Sequence, residues 1–381
     1  MNGGFMIKYV FFLILAHTVF SLSAAPLPDK IWSTNAYGYW VTSVKFRPDG
    51  LALASASQDY PLYMWSISNA VVIRAFSLGQ NSPVTAAFSP DGTRIFGGNG
   101  SGNYRAWQVS SGGTIYSGGA PETSFGEATY SPDGTKLALA RTESSMVLQH
   151  ADTGMGIRFV GEEENLMRKV DFSPDSTLLA SSGDDSTARY WRVSDGLLVQ
   201  EFPNHPGPVT FTPDGKYFVM GNVDGTSYFW DVQTNGIART FPAWGSAVRF
   251  TANGKVLVTV NGPLINLWRV ATGTLLASYD TAPDGSALSL DVSPDARLFA
   301  YGTYSGTVVL ARLPVFIHTI TRTGNETILH WQGGSGLYQL QSNTNFTTNG
   351  WQNLGPATTN TCATNVSSST LFFRVQSLPN P

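Results

Sequence analysis

The chain is poor in cysteine, in charge and in histidine, and each shortage excludes something. Its single cysteine, Cys362, has no partner for an internal disulfide, so the fold must be held by packing and hydrogen bonds. No histidine lies near Cys362 in sequence to activate the thiol, which reads as a small inert residue. Charged residues make up 13% of the chain, with 23 Lys and Arg against 26 Asp and Glu. Without a concentrated basic surface the chain cannot grip phosphates, which argues against nucleic acid as a partner. Phosphate-loop spacing is absent, and Ser335 in Gly-Gly-Ser-Gly has no Asp and His after it in order, so neither nucleotide nor nucleophile-elbow chemistry is implied. The Gly98-Asn-Gly-Ser-Gly102 run reads as a turn. His318 and His330 are expected to face one another across a hairpin as Arg322 faces Glu326, but zinc asks for more ligands than two. Glu162-Glu-Glu164 reads as a solvated loop. No metal and no cofactor is expected.

What is abundant is apolar and punctuated. Hydrophobic residues reach 42% and aromatics 12%, with 39 Gly and 21 Pro spread along the chain, the composition of many short strands joined by tight turns. The expected class is all-β. Lys8, the apolar stretch from Tyr9 to Leu22 and the small residues Ser23-Ala24-Ala25 have the form of a secretory signal peptide at residues 1–25, cut after Ala25. An uncleaved anchor is the competing reading, but the run is short for ~30 Å of hydrocarbon. The expectation is therefore an exported protein, periplasmic, cell-surface or secreted, and of bacterial type given its lack of disulfides.

One unit recurs seven times. Its copies begin Phe46-Arg-Pro-Asp-Gly50, Phe88-Ser-Pro-Asp-Gly92, Tyr130-Ser-Pro-Asp-Gly134, Phe172-Ser-Pro-Asp-Ser176, Phe211-Thr-Pro-Asp-Gly215, Phe250-Thr-Ala-Asn-Gly254 and Val292-Ser-Pro-Asp-Ala296, at intervals of 42, 42, 42, 39, 39 and 42 residues. A second landmark follows 18 or 19 residues later: Trp65, Trp107, Leu148, Trp191, Trp230, Trp268 and Leu310. Within the fourth unit the apolar pattern predicts strands at 169–173, 178–181, 188–193 and 197–202, with Pro174-Asp175 and Gly183-Asp184-Asp185 as turns. Four short antiparallel strands per unit make a propeller blade, whose apolar faces are covered by its neighbours in a ring.

These residues resemble the WD40-repeat family of β-propellers over about residues 29–313. Trp230-Asp231 is the single copy of the dipeptide that names the family, and no Gly-His pair occurs. In the family a His, a Ser or Thr, an Asp and the Trp form a hydrogen-bonded set within a blade. The resemblance carries the Asp position to Asp59, Asp185 and Asp224 and the His to His205 in the fifth blade, where Met220 replaces the hydroxyl. It thus implies a divergent member held mainly by apolar packing between blades, with function on the face where the inter-blade loops gather. The seventh unit lacks a fourth strand, and Lys30 to Thr34 is expected to supply it, closing a seven-bladed propeller that spans 26–313.

Beyond Pro314 the period is lost. Residues 314–381 are expected to form a small β-sandwich-like module, with a hairpin at Val315–Ile320 and Thr327–Trp331 and further strands at 337–341 and 371–375. The pattern resembles short C-terminal modules of exported bacterial proteins and implies tethering or sorting.

The rim aromatics Tyr37, Tyr39, Trp40, Phe125 and Trp244, with His205, are the candidate contacts for a partner, since aromatic side chains bury much area at little entropic cost. The leading expectation is a non-catalytic scaffold that presents one face to a protein or peptide. Lectin-like binding of cell-surface polysaccharide is the alternative, and a hydrolase or lyase using Asp184, Asp185 and His205 comes last.

Overall fold

The computed structural model describes residues 28–314 apart from 59, 80–82, 120–123, 142–145, 162–166, 223–224 and 244, together with strands of the tail. The expected signal peptide, the Glu162–Glu164 triplet, Asp59, Asp224 and Trp244 lie outside the described residues. The chain divides into two compact units with the boundary at Ala311 and Arg312.

The first unit is a ring of seven four-stranded antiparallel sheets. In the fourth blade the strands are Met167–Phe172, Leu178–Gly183, Thr187–Arg192 and Leu198–Pro203, each end within two residues of the sequence expectation. The first strands of neighbouring blades contact one another all the way round, so they line the centre. The second strands are covered on both sides. Ala52–Ser57 is buried at all six positions and is built from alternating Ala and Ser or Leu, small residues that let adjacent blades approach. Outer strands such as Val72–Phe76 face water and bury mainly their ends.

The recurring motif is explained by its turn. In the fourth blade the Ser173 hydroxyl donates to Asp175 Oδ1 at 2.6 Å and accepts from the Leu178 N–H at 2.9 Å, while the Thr177 N–H donates to the same carboxylate at 3.0 Å. Pro sets φ, Ser and Asp satisfy the hairpin ends, and the fifth position turns left-handed. Glycine occupies that position in five blades at φ of 67–73°, but Ser176 and Ala296 adopt it at 63° and 56°.

The second landmark is marked by a bulge. In every blade the outer strand carries one extra residue beside the Trp position, as where Met64 pairs with Arg74 and Trp65 with Val72. The same register shift follows Leu148, which places Gln149 rather than Leu148 at the Trp position of the third blade. In the seventh, Lys30 pairs with Ala311 and Trp32 with Leu310, so Ala311 holds the place expected of Leu310. Spacing alone misassigns these two by one residue, because neither is aromatic.

Closure is as expected. Lys30–Asn35 pairs antiparallel with Thr307–Arg312 and completes the last blade. The Trp32 indole donates to the Ile67 carbonyl at 2.8 Å, and Lys30 Nζ pairs with Asp284 at 2.8 Å. Gly306 is required at this seam, at φ +87°, because a Cβ there would run into the Tyr37 carbonyl.

Among the described residues the tail contains two three-stranded sheets. Phe316–Thr323 and Glu326–Gln332 form the expected hairpin, but its register pairs Thr319 with His330 and Arg322 with Thr327. His318 falls on the irregularity between Ile317 and Thr319, so the predicted His318–His330 and Arg322–Glu326 pairs are not formed. Among the described residues no helix is long and apolar enough to cross a membrane.

Candidate functional site: the loop face and the plugged channel

Two sets of loops open on one face of the ring, those joining successive blades and those joining second to third strands. Residues 36–40 belong to the first set and Tyr304 to the second. Tyr37 is not an exposed contact as predicted: it is 3% exposed, because its hydroxyl finds a partner inside. It donates to the Ser55 carbonyl at 2.9 Å and shares a 2.7 Å hydrogen bond with Ser55 Oγ, which also accepts the Trp65 indole N–H at 2.7 Å. The ring stacks on Tyr63 at 5.4 Å, and burial pushes the phenol well above its ordinary range. The consequence is outward. With Tyr37 anchored and its N–H bonded to the Gly306 carbonyl, Tyr39 and Trp40 stand 54% exposed, and Trp40 meets Tyr304, itself 46% exposed, edge to face at 5.5 Å.

Phe125 is also corrected. It is 4% exposed and, from the start of the third blade's first strand, packs against the second blade, close to Gly98, where a Cβ would come within 3.0 Å of the ring. Gly98 is therefore small for Phe125, while Gly102 at φ +78° serves the turn as expected. His205 is half-buried, with Nδ1 3.3 Å from the Gly221 carbonyl and its ring edge-on to Tyr228 at 5.2 Å.

The family's hydrogen-bonded set survives in part. Trp65, Trp191 and Trp268 donate to Ser55, Ser181 and Thr259 at 2.7, 2.9 and 3.1 Å. Asp185 is engaged elsewhere: it accepts from Arg189 at 2.6 Å, and Arg189 also holds Glu201 at 2.8 Å. Asp184 is tied to Arg168, so each aspartate proposed for catalysis has its own cation.

Beneath the loop face lies a feature that the sequence reading missed. Six residues that stand one or three places before the first motif residue are charged: Lys45, Glu127, Lys169, Asp171, Arg249 and Asp291. Glu127, on the third blade, accepts from Lys45 of the first at 2.9 Å and from Arg249 of the sixth at 2.6 Å. Arg249 Nε also lies 3.5 Å from Asp291 of the seventh. Asp291 takes the Phe46 N–H at 2.7 Å, and Asp171 takes the Thr210 hydroxyl at 2.8 Å and the Phe211 N–H at 3.2 Å, each stapling its blade to the next. Lys45, Glu127 and Arg249 thus join across the centre, and a cavity of about 30 Å³ remains beside them and Lys169, room for water but not for a ligand.

The electrostatics follow from that geometry. Burial disfavours the Glu127 carboxylate, but Lys45, Arg249 and Lys169 outweigh it and hold the group far below the usual carboxylate range. Its remaining 15% side-chain exposure faces the cavity it lines. Burial likewise opposes the Arg249 charge, and Glu127, Asp291 and Asp171 outweigh it, so its pKa rises. For Asp171 burial wins over Arg249 and its two donors, and the pKa is raised. Burial lowers that of Lys169 against the pull of Glu127. The signal was present as charged residues inside otherwise apolar first strands, next to the motif aromatic.

The whole chain matches no curated protein. A family model described as "WD domain, G-beta repeat" matches residues 158–192 and 196–231, which run from the outer strand of one blade through the third strand of the next and end on Trp191 with Arg192 and on Trp230-Asp231. Two matched repeats stand in a ring of seven sheets that share strand order and bulge, and residues 28–313 are a WD40 β-propeller.

Proposed function

We propose that the protein is an exported, non-catalytic scaffold that binds a protein or peptide partner through the loop face of the propeller. WD40 propellers commonly serve as protein-interaction scaffolds, and that general role is the starting point. The observation that carries the reading further is the Tyr39, Trp40 and Tyr304 cluster. Trp40 and Tyr304 are exposed in contact, with Tyr39 exposed beside Trp40 in sequence, on loops fixed by Tyr37 and Gly306, which is the character of a preorganised hot spot. The exported location rests on the first 25 residues of the sequence, and a tethering role for the tail on its resemblance.

The test is capture from the envelope and medium of the cells that make it, comparing residues 26–381 with the same chain carrying Tyr39→Ala, Trp40→Ala and Tyr304→Ala. A protein retained by the first and lost by the second, with both folded by circular dichroism, supports the reading. Equal retention by both removes the loop face as the binding surface.

A further inference from the structure

The fifth blade departs from the pattern in one place. Trp65, Trp107, Trp191 and Trp268 are each at most 8% exposed, whereas Trp230 is only half-buried. The cause is local. Where Ser55, Ser181 and Thr259 offer a hydroxyl to the indole, the equivalent residue is Met220, and the Phe202 ring packs edge-on to Trp230 at 4.8 Å instead. An open cleft of about 380 Å³ lies between the outer parts of the fourth and fifth blades, with Trp230, Tyr228 and Phe202 among its walls and Asn204, His205 and Asn222 at its polar positions. Its size falls in the range of small-ligand sites. Among the described residues that line it, none carries a carboxylate, ammonium or guanidinium group.

We propose that this cleft binds a neutral pyranose unit of a glycan, as a site separate from the Tyr39, Trp40 and Tyr304 cluster. The chemistry fits on three counts. Half-exposed aromatic rings offer apolar surface with polar edges, which suits the C–H faces of a sugar and would be poor company for a charged ligand. The exposed Asn204 amide supplies both a donor and an acceptor, which sugar hydroxyls need. Tyr228 is already held in place, by Asn222 Nδ2 donating to its hydroxyl at 3.3 Å and by His205 edge-on at 5.2 Å, so part of the wall is set before a ligand arrives. The absence of charge among the described lining residues favours a neutral ring over a uronic acid or a sialic acid.

The experiment is saturation-transfer NMR on residues 26–381 with the methyl glycosides of glucose, galactose, mannose and N-acetylglucosamine, and methyl glucuronide as the charged control. Ile237 lines the cleft and is 57% exposed, so Ile237→Arg crowds and charges it without touching the core. The expected result is transfer to at least one neutral glycoside, weakened at least tenfold in affinity by Ile237→Arg and by Tyr228→Ala, and unchanged by the triple substitution of Tyr39, Trp40 and Tyr304. Absence of transfer to all four neutral glycosides would overturn the proposal, as would transfer that survives Ile237→Arg or belongs to glucuronide alone. Peptide binding at the cleft in place of sugar would overturn it too. The loop-face reading is untouched by any of these results, because its own substitutions lie elsewhere.

Discussion

The walls between blades and the channel at their centre solve the same problem by opposite means. Between blades, small and apolar residues such as those of Ala52–Ser57 are stacked dry, and the few polar groups are hydroxyls and indoles that satisfy one another. In the channel, six charges come from five blades, and Glu127 finds Lys45 and Arg249 only because the ring brings non-adjacent blades together. Each wall can form from two neighbouring blades. Glu127, by contrast, meets Arg249 only when the third and sixth blades have both taken their places. The difference teaches that packing sets the local stacking while the channel charges reward completion of the ring. A buried ion network of this kind adds little over an apolar plug, yet is costly to break from one side.

The largest effect is expected from opening the ring. Deleting residues through Asn35 strips the outer strand from the last blade and leaves Thr307–Arg312 as a bare edge. Heat denaturation should then lose its single sharp transition, and exposed apolar surface should bind a reporter dye; a sharp transition at unchanged temperature would show that closure does not matter.

Next comes the channel. Glu127→Gln leaves Lys45, Arg249 and Lys169 without their shared anion and should cost about 3–5 kcal/mol in chemical denaturation, a value typical of breaking a buried pair. Because the folded pKa of Glu127 is depressed, its stabilisation is present above the unfolded value near 4.5 and is lost as pH falls through the folded one. The gap between wild type and variant should therefore be constant from pH 8 to about pH 5 and narrow below it. A gap that widens in acid would reverse the assignment.

Within the walls, Ser181→Ala deprives the buried Trp191 indole of its acceptor and should cost about 1–3 kcal/mol. The smallest effect is a gain. Ala296→Gly relieves a left-handed alanine and should stabilise by about 0.5–1 kcal/mol, whereas Ser176→Gly should gain less, because Ser176 Oγ accepts the Asp133 N–H at 3.1 Å. Equal gains at both sites would mean that this inter-blade bond contributes nothing.

The walls were readable in the sequence and the channel was not, for a physical reason. Phe172, Pro174, Asp175 and Trp191 act within one hairpin or against the next blade, so their chemistry repeats with the period and stands out. Lys45, Glu127 and Arg249 act across the ring, and nothing in the period says that residues 82 and 122 apart will touch. The candidate site was half legible for a related reason. Alternation within a five-residue loop does not say which aromatic turns inward, and Tyr37 did so because Ser55 offers its hydroxyl two partners, leaving Tyr39 and Trp40 outside. Phe125 went inward because Gly98 leaves room for it. The cleft beside Trp230 was visible only as Met220 in place of a hydroxyl.

The central claim is that the loop face, and not the opposite face, meets a protein partner. It is tested most directly by placing a photo-crosslinking phenylalanine analogue at position 304 or 39 on the loop face, or at the exposed Ala252 in a motif turn on the other, and irradiating the protein in the cells that make it. The account predicts protein adducts from positions 304 and 39 and none from position 252. Adducts from position 252 alone, or from none of the three, would contradict it.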